Sequence, residues 1–227
     1  MKRLPWSVLA TMLLWLGTAP QAFAQDEDRL YAGVLVGIST LSADARASTQ
    51  PSRAEVSLYK PENGPALNLF VGVHLGRYFT VQSNYVWNRN DLTLFSSVTS
   101  VEGGRFYEQR RPSTQHAVVG DALLYFRALG SGIRPYLSTG AGLVRFGSGA
   151  GRSAAAGGLA APEGEIASTR VVLRVAVGID IAIGDQWSFR YSFSESMSGN
   201  PVSARLTPPG ERNLANFQNL FGVNRHF

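Results

Sequence analysis

From position 170 the chain reads "RVVLRVAVGIDIAI", and its odd positions Val171, Leu173, Val175, Val177, Ile179, Ile181 and Ile183 are all apolar. The even positions Arg170, Val172, Arg174, Ala176, Gly178, Asp180 and Ala182 are mostly charged or small. Period-two alternation predicts a strand with one apolar face, here about twice the usual length. The same alternation recurs in "LYAGVLVGIS", "ALNLFVGVHL", "VQSNYVWN", "HAVVGDALLYF", "RPYLSTGAGLVRF", "WSFRYSFSES" and the C-terminal segment from Leu214. Eight strands are expected. In the sixth, the apolar set is Leu137, Thr139, Ala141 and Leu143. In the last, Phe217, Phe221, Val223 and Phe227 share one face, interrupted by Arg225.

The connections alternate in length. "GRYF" (76–79), "RALGSGIR" (127–134) and "GDQW" (184–187) are short, whereas 40–65, 89–112, 147–168 and 196–213 are long, polar and rich in Gly, Pro, Ser and Arg. Within the second long connection, "DLTLFSSVTS" and "RFYEQRR" flank "VEGG", which predicts a hairpin prolonging two strands. The Gly- and Ala-rich third connection reads as a flexible loop.

Composition adds two constraints. Only 16% of residues are charged, against roughly 25% in an ordinary soluble domain, and the absence of cysteine excludes disulfide staples and thiol chemistry. Residues 1–24 carry the marks of a signal peptide: Lys2 and Arg3, the apolar run Val8 to Gly17, then Ala22-Phe23-Ala24. Cleavage near Gln25 lowers the formal charge from +5 to +3. Export argues against a nucleic-acid partner.

The leader, eight alternating strands, the Gly-rich "PYLSTGAGLV", the tight turns and the terminal Phe227 resemble the eight-stranded outer-membrane β-barrels of the OmpA/OmpX type. The resemblance implies an all-β, antiparallel up-and-down transmembrane barrel over residues 25–227, with short periplasmic turns and long extracellular loops. It implies an integral place in the bacterial outer membrane, a monomer, contact with outer-membrane lipids and lipopolysaccharide, and no cofactor. It also implies that Phe217, Phe221, Val223 and Phe227 form the signal read by the barrel-assembly machinery. Since the strand pattern runs to the last residue, no peptidoglycan-binding domain is expected after it.

In such a barrel the apolar faces meet lipid. Aromatics near the short turns (Tyr78, Phe79, Phe126, Tyr136, Trp187, Phe189, Phe227) and near the loops (Tyr85, Trp87, Phe146, Phe217) are expected to form two interfacial girdles. A bore of eight strands is filled by side chains, and Asn68, Gln82, Asn84, Gln115, Asp121, Arg170, Arg174, Asp180 and Arg190 are assigned inward. If "GDQ" is a three-residue turn, Asp180 faces Arg190 and an ion pair follows. Inner glycines Gly33, Gly37, Gly72, Gly140, Gly142 and Gly178 leave room for these side chains. Arg105, Arg110 and Arg111 are the loop cluster expected to bind anions.

The expected role is structural or surface-interacting, neither a general porin nor an enzyme. Two alternatives stay open. The first is a lipid A acyl hydrolase built around His116 with Ser113 and Thr114, although His116-Ala117-Val118 lacks the Ser of the His-x-Ser arrangement in barrel deacylases. The second is a soluble periplasmic lipocalin-like binder with its apolar faces turned inward.

Overall fold

The computed structural model describes residues 29–50, 53–100, 103–158, 161–205 and 212–227; the expected leader lies outside them. The strands are β1 (Leu30–Gln50), β2 (Arg53–Pro61), β3 (Asn63–His74), β4 (Phe79–Ser100), β5 (Gly103–Tyr125), β6 (Ile133–Ser148), β7 (Arg152–Ala156), β8 (Ile166–Ala182), β9 (Trp187–Gly199) and β10 (Asn213–His226). All pairings are antiparallel. Eight strands close a ring, β1-β3-β4-β5-β6-β8-β9-β10, because β1 pairs with β3 on one side and with β10 on the other. The remaining two are extensions: β2 bridges the far ends of β1 and β4, and β7 lies on the far end of β5.

Alternation sets the wall. On β8, Val171, Leu173, Val175 and Val177 are 43–65% exposed, while Val172, Arg174, Ala176 and Asp180 are buried. Val36, Ile38, Leu69, Val71, Val81, Val118, Leu137, Leu143 and Phe221 continue this exposed aliphatic belt on the other strands. The lipocalin-like alternative requires the opposite: apolar faces inward.

The short turns are tight. The Leu75 amide bonds the Phe79 carbonyl and the Ile183 amide bonds the Trp187 carbonyl, leaving three-residue tips. The first and third long connections depart from the expected loops, and the second forms the expected hairpin. Region 40–65 is a hairpin of β1 and β2, and β4 and β5 remain paired from Phe79↔Leu124 out to Ser100↔Gly103. The third connection contributes β7 where a flexible loop was expected, because Arg152 to Ala156 find ladder partners on Phe106 to Arg110. Two expected girdle residues also face the interior. Tyr136 and Phe146 share the inward parity of Ser138 and Val144 on β6, and both are buried. Of the other nine, Tyr78 sits exposed on a turn tip and eight lie on the outward parity, from half-buried Phe189, Trp87 and Phe217 to well-exposed Phe126.

Glycines make the narrow bore fillable. The Tyr31 ring lies over Gly72 and the Tyr136 ring over Gly178, each across a strand pair, so that any Cβ at those glycines would enter the ring. Gly178→Val is therefore expected to displace Tyr136 and lower the yield of closed barrel. Comparing boiled and unboiled samples in SDS gels measures this: the wild type migrates as a faster unboiled band, and the variant loses most of it.

Candidate functional site

The interior is built in tiers. At the centre of the lower half, nearest the short turns, the Arg190 guanidinium holds Asp180 with two prongs, Nε to Oδ1 at 2.6 Å and Nη2 to Oδ2 at 2.7 Å. The three-residue turn places them at opposite positions of β8 and β9. Arg190 Nη2 also donates to Tyr125 Oη (2.8 Å), which donates in turn to Asp180 Oδ2 (2.9 Å). Nη1 reaches Gln82 Oε1 at 2.7 Å, an oxygen that also accepts from Tyr31 Oη. Phe70, Tyr136 and Tyr31 surround the guanidinium at 4.7, 5.1 and 5.3 Å from their ring centroids. Every Arg190 nitrogen thus has a partner, as a buried cation requires.

One step towards the loops, Arg174 Nη1 meets Asp121 Oδ2 at 2.6 Å. Gly140, between them in the ladder, leaves space for the Asp121 carboxylate. This pair is single-pronged: Asp121 Oδ1 and Arg174 Nε have no partner. Asn84 connects the tiers, donating to Asp121 Oδ2 and accepting from Gln82 and Asn68. Higher still, Asn216 donates to both Asn88 and Gln115. These amides line a cavity of about 20 Å³, room for about one water molecule.

Arg170 does not belong to this network. It has inward parity, yet it lies past the end of the β8–β9 ladder at Val172↔Ser198, exposed, and bonds Ser168. One interior group escaped the sequence reading. Arg134, opposite Asp180 on the other neighbouring strand, is buried at the short-turn mouth with its guanidinium 3.8 Å from the Tyr125 ring centroid. His74 stacks on His226 and on Tyr31 in the same region. The position of Arg134 just after a turn, before "PY", made it look like a loop cation.

Above the amides the filling becomes apolar. Leu41, Leu92, Leu94, Tyr107, Phe146, Ile166, Val202 and Leu214 form one buried cluster. Val202 comes from the fourth connection, where Asn200 Oδ1 accepts its amide and a short 3₁₀ turn, Ser203–Arg205, follows. The third connection is tied down by Arg111, which donates to Ser148 Oγ, Gln109 Oε1 and the carbonyls of Pro162 and Gly164. Burial, with Arg205 adding to it, pulls the Arg111 guanidinium below its ordinary pKa. Four neutral oxygens hold the charge instead of a carboxylate.

The expected anion cluster is therefore not a cluster. Arg111 is buried inside, Arg110 is exposed on the opposite face beside Glu108 at 3.7 Å, and Arg105 lies exposed further out. The hydrolase constellation comes apart at Ser113, although Thr114 shares the outward face of His116. Ser113 faces inward and donates to the Asn90 carbonyl, whereas His116 faces outward, 2.8 Å from the Tyr85 hydroxyl. On β10, Phe217, Phe221, Val223 and Phe227 share the outward face, and Arg225 lies between the Trp187 and Phe227 rings at 5.8 and 5.1 Å.

The family model described as outer membrane protein beta-barrel domain matches residues 8–227. Among solved structures, the chain is similar to Neisserial surface protein A (13% identity, TM-score 0.50, 87% of this chain and 97% of that one). It is similar as well to outer membrane protein OprG from Pseudomonas aeruginosa (11% identity, TM-score 0.50, 88% and 97%). At such identities the likeness speaks for the fold alone. No curated protein sequence matches.

Removing Asp180 leaves Arg190 buried without its counter-charge. Asp180→Ala is expected to cost about 3–5 kcal/mol, whereas replacing both partners by apolar residues of similar volume comes out near neutral. Urea unfolding of the barrel in lipid vesicles distinguishes the two.

Proposed function

The chain belongs to the outer membrane protein β-barrel family, and from that membership we propose a sealed membrane scaffold that presents a folded extracellular platform, without conduction or catalysis. The exposed aliphatic belt suits a membrane-spanning barrel, and family membership puts that membrane at the cell's outer surface, with the short turns read as periplasmic and the long connections as extracellular. The observation that carries the reading is the filled axis: the Arg190–Asp180 cluster below, the amide tier in the middle, and the apolar cluster beneath Val202 above. A general porin leaves an aqueous channel, which takes 16–18 strands. Ser113 and His116 lie on opposite faces of β5, which speaks against an acyl hydrolase built on that pair.

What remains for interaction is the surface beyond the bilayer. The paired β4–β5 extension, braced by β2 and β7, forms a stiff sheet outside the membrane. Such a platform suits contact with neighbouring surface molecules better than an open mouth would. The terminal face of Phe217, Phe221, Val223 and Phe227 serves as the strand offered to the assembly machinery during insertion.

Planar-bilayer recording on the refolded barrel tests the sealed lumen. No steps above the membrane baseline are expected, and regular open-channel steps would overturn it. For the terminal strand, deletion of Phe227 is expected to reduce the folded protein in outer-membrane fractions several-fold while leaving refolding into detergent intact.

A further inference from the structure

The outward face of β4, β5 and β6 changes character within one step of the chain. Tyr85, Val118 and Leu143 are 39, 49 and 56% exposed and belong to the belt. The next row towards the loops is Trp87, His116 and Arg145, at paired positions, and the row after it is Arg89, Thr114 and Gly147. Arg89, His116 and Arg145 are exposed, and the two arginines form no ion pair with another described residue. They line an open groove of about 500 Å³ with Trp87, Thr114 and Glu165. Arg89 continues into a second groove, of about 690 Å³, with Asp91, Arg110 and Arg152.

This concentration is one-sided. Above the belt, the outward residues of β9, β10 and β3 include Glu195, Asn219 and Asn63, and no arginine or lysine. Below the arginines the belt itself is indented. Ser83, Gly120 and Ala141 form one row across the same three strands, and a Cβ built on Gly120 would meet nothing within 4 Å. A trough of small side chains thus runs under a pair of unpaired guanidinium groups at the depth where hydrocarbon gives way to headgroups.

We propose that this wall holds one lipopolysaccharide molecule of the outer leaflet, with a lipid A phosphate on Arg89 and Arg145 and an acyl chain in the Ser83–Gly120–Ala141 trough. The guanidinium fork matches phosphate with paired hydrogen bonds. Trp87 and the Tyr85–His116 pair occupy the boundary depth where amphipathic rings reside. Asp91 and Glu165, beside the arginines, suit divalent cations bridging carboxylate to phosphate. The site rests on the barrel's place in the outer membrane and not on its sealed lumen, so a conductance result leaves it untouched.

Native mass spectrometry of the barrel extracted in mild detergent counts bound lipopolysaccharide. The wild type is expected to retain one molecule. The Arg89→Gln/Arg145→Gln double variant should retain at least about tenfold less, as expected for lost charged hydrogen bonds. Arg77→Gln, at the other end of the barrel, should match the wild type. Heat-modifiable mobility verifies closure, and Arg145→Lys, which keeps charge without the fork, should give intermediate retention. Equal retention by the double variant overturns the proposal. So does equal retention of dephosphorylated lipid A, which would leave acyl packing as the whole attraction. Complete displacement by inorganic phosphate also overturns it, in favour of a free-phosphate site.

Discussion

The backbone of this wall is fully paired only because the first strand meets the last, from Tyr31↔His226 to Ser42↔Ala215. In hydrocarbon an open edge would expose a row of peptide groups, each at several kcal/mol, so closure comes before every other preference. Closing eight strands leaves a bore so narrow that side chains from opposite walls touch. Arg190 on β9 reaches Gln82 on β4, 108 residues away in sequence. The network across the lumen is thus a consequence of the ring's size.

Closure also decides what the polar residues must do. Period-two geometry allows each strand only two faces, and with one given to lipid the other receives the charges in the middle of the spanning segment, leaving Arg225 outward only at the short-turn end. A slip of one residue would turn Arg190 and Asp180 into the lipid and bring Val177 or Phe193 into the bore. The buried pair therefore discriminates strongly between registers even though it contributes little net stability over an apolar filling. Its two-pronged geometry, its aromatic surround and its link to Tyr125 make Arg190 a tie among β4, β5, β8 and β9. The Asp121–Arg174 pair, with one prong and two unpartnered atoms, is the weaker tie.

Much of this was legible in the chain. The strand count, the outward aliphatics of β8 and the register between Asp180 and Arg190 follow from alternation and a three-residue turn, both local properties. What was hidden depends on height along the axis, which alternation does not encode. Arg170 has the same parity as Arg174, yet it lies beyond the last β8–β9 pair, Val172↔Ser198, and is exposed. Arg111 adjoins Arg110 in sequence, but neighbours on a strand point to opposite sides, so a run of two arginines is never one patch. Tyr136 and Phe146 read as girdle residues because their depth was right and their parity went unexamined.

The same reasoning locates the outer edge of the bilayer without reference to aromatics. Along β4 the inward positions run Gln82, Asn84, Val86, Asn88 and Asn90 and then become Leu92 and Leu94, while the outward ones run Val81, Tyr85 and Trp87 and then become Arg89 and Asp91. The alternation persists, but its phase inverts. Below the inversion the solvent outside is lipid and the polar face must turn in; above it the solvent is water, and the sheet buries its apolar face as any soluble protein does. Both faces switch within about one pair of residues, near Arg89 and Asn90. This explains why the apolar-outward alternation ends there although the sheet continues to Ser100, along the hairpin that "VEGG" predicts. The apolar cluster under Val202 is the core of that aqueous half, and it closes the mouth because the interior is the only face left to bury.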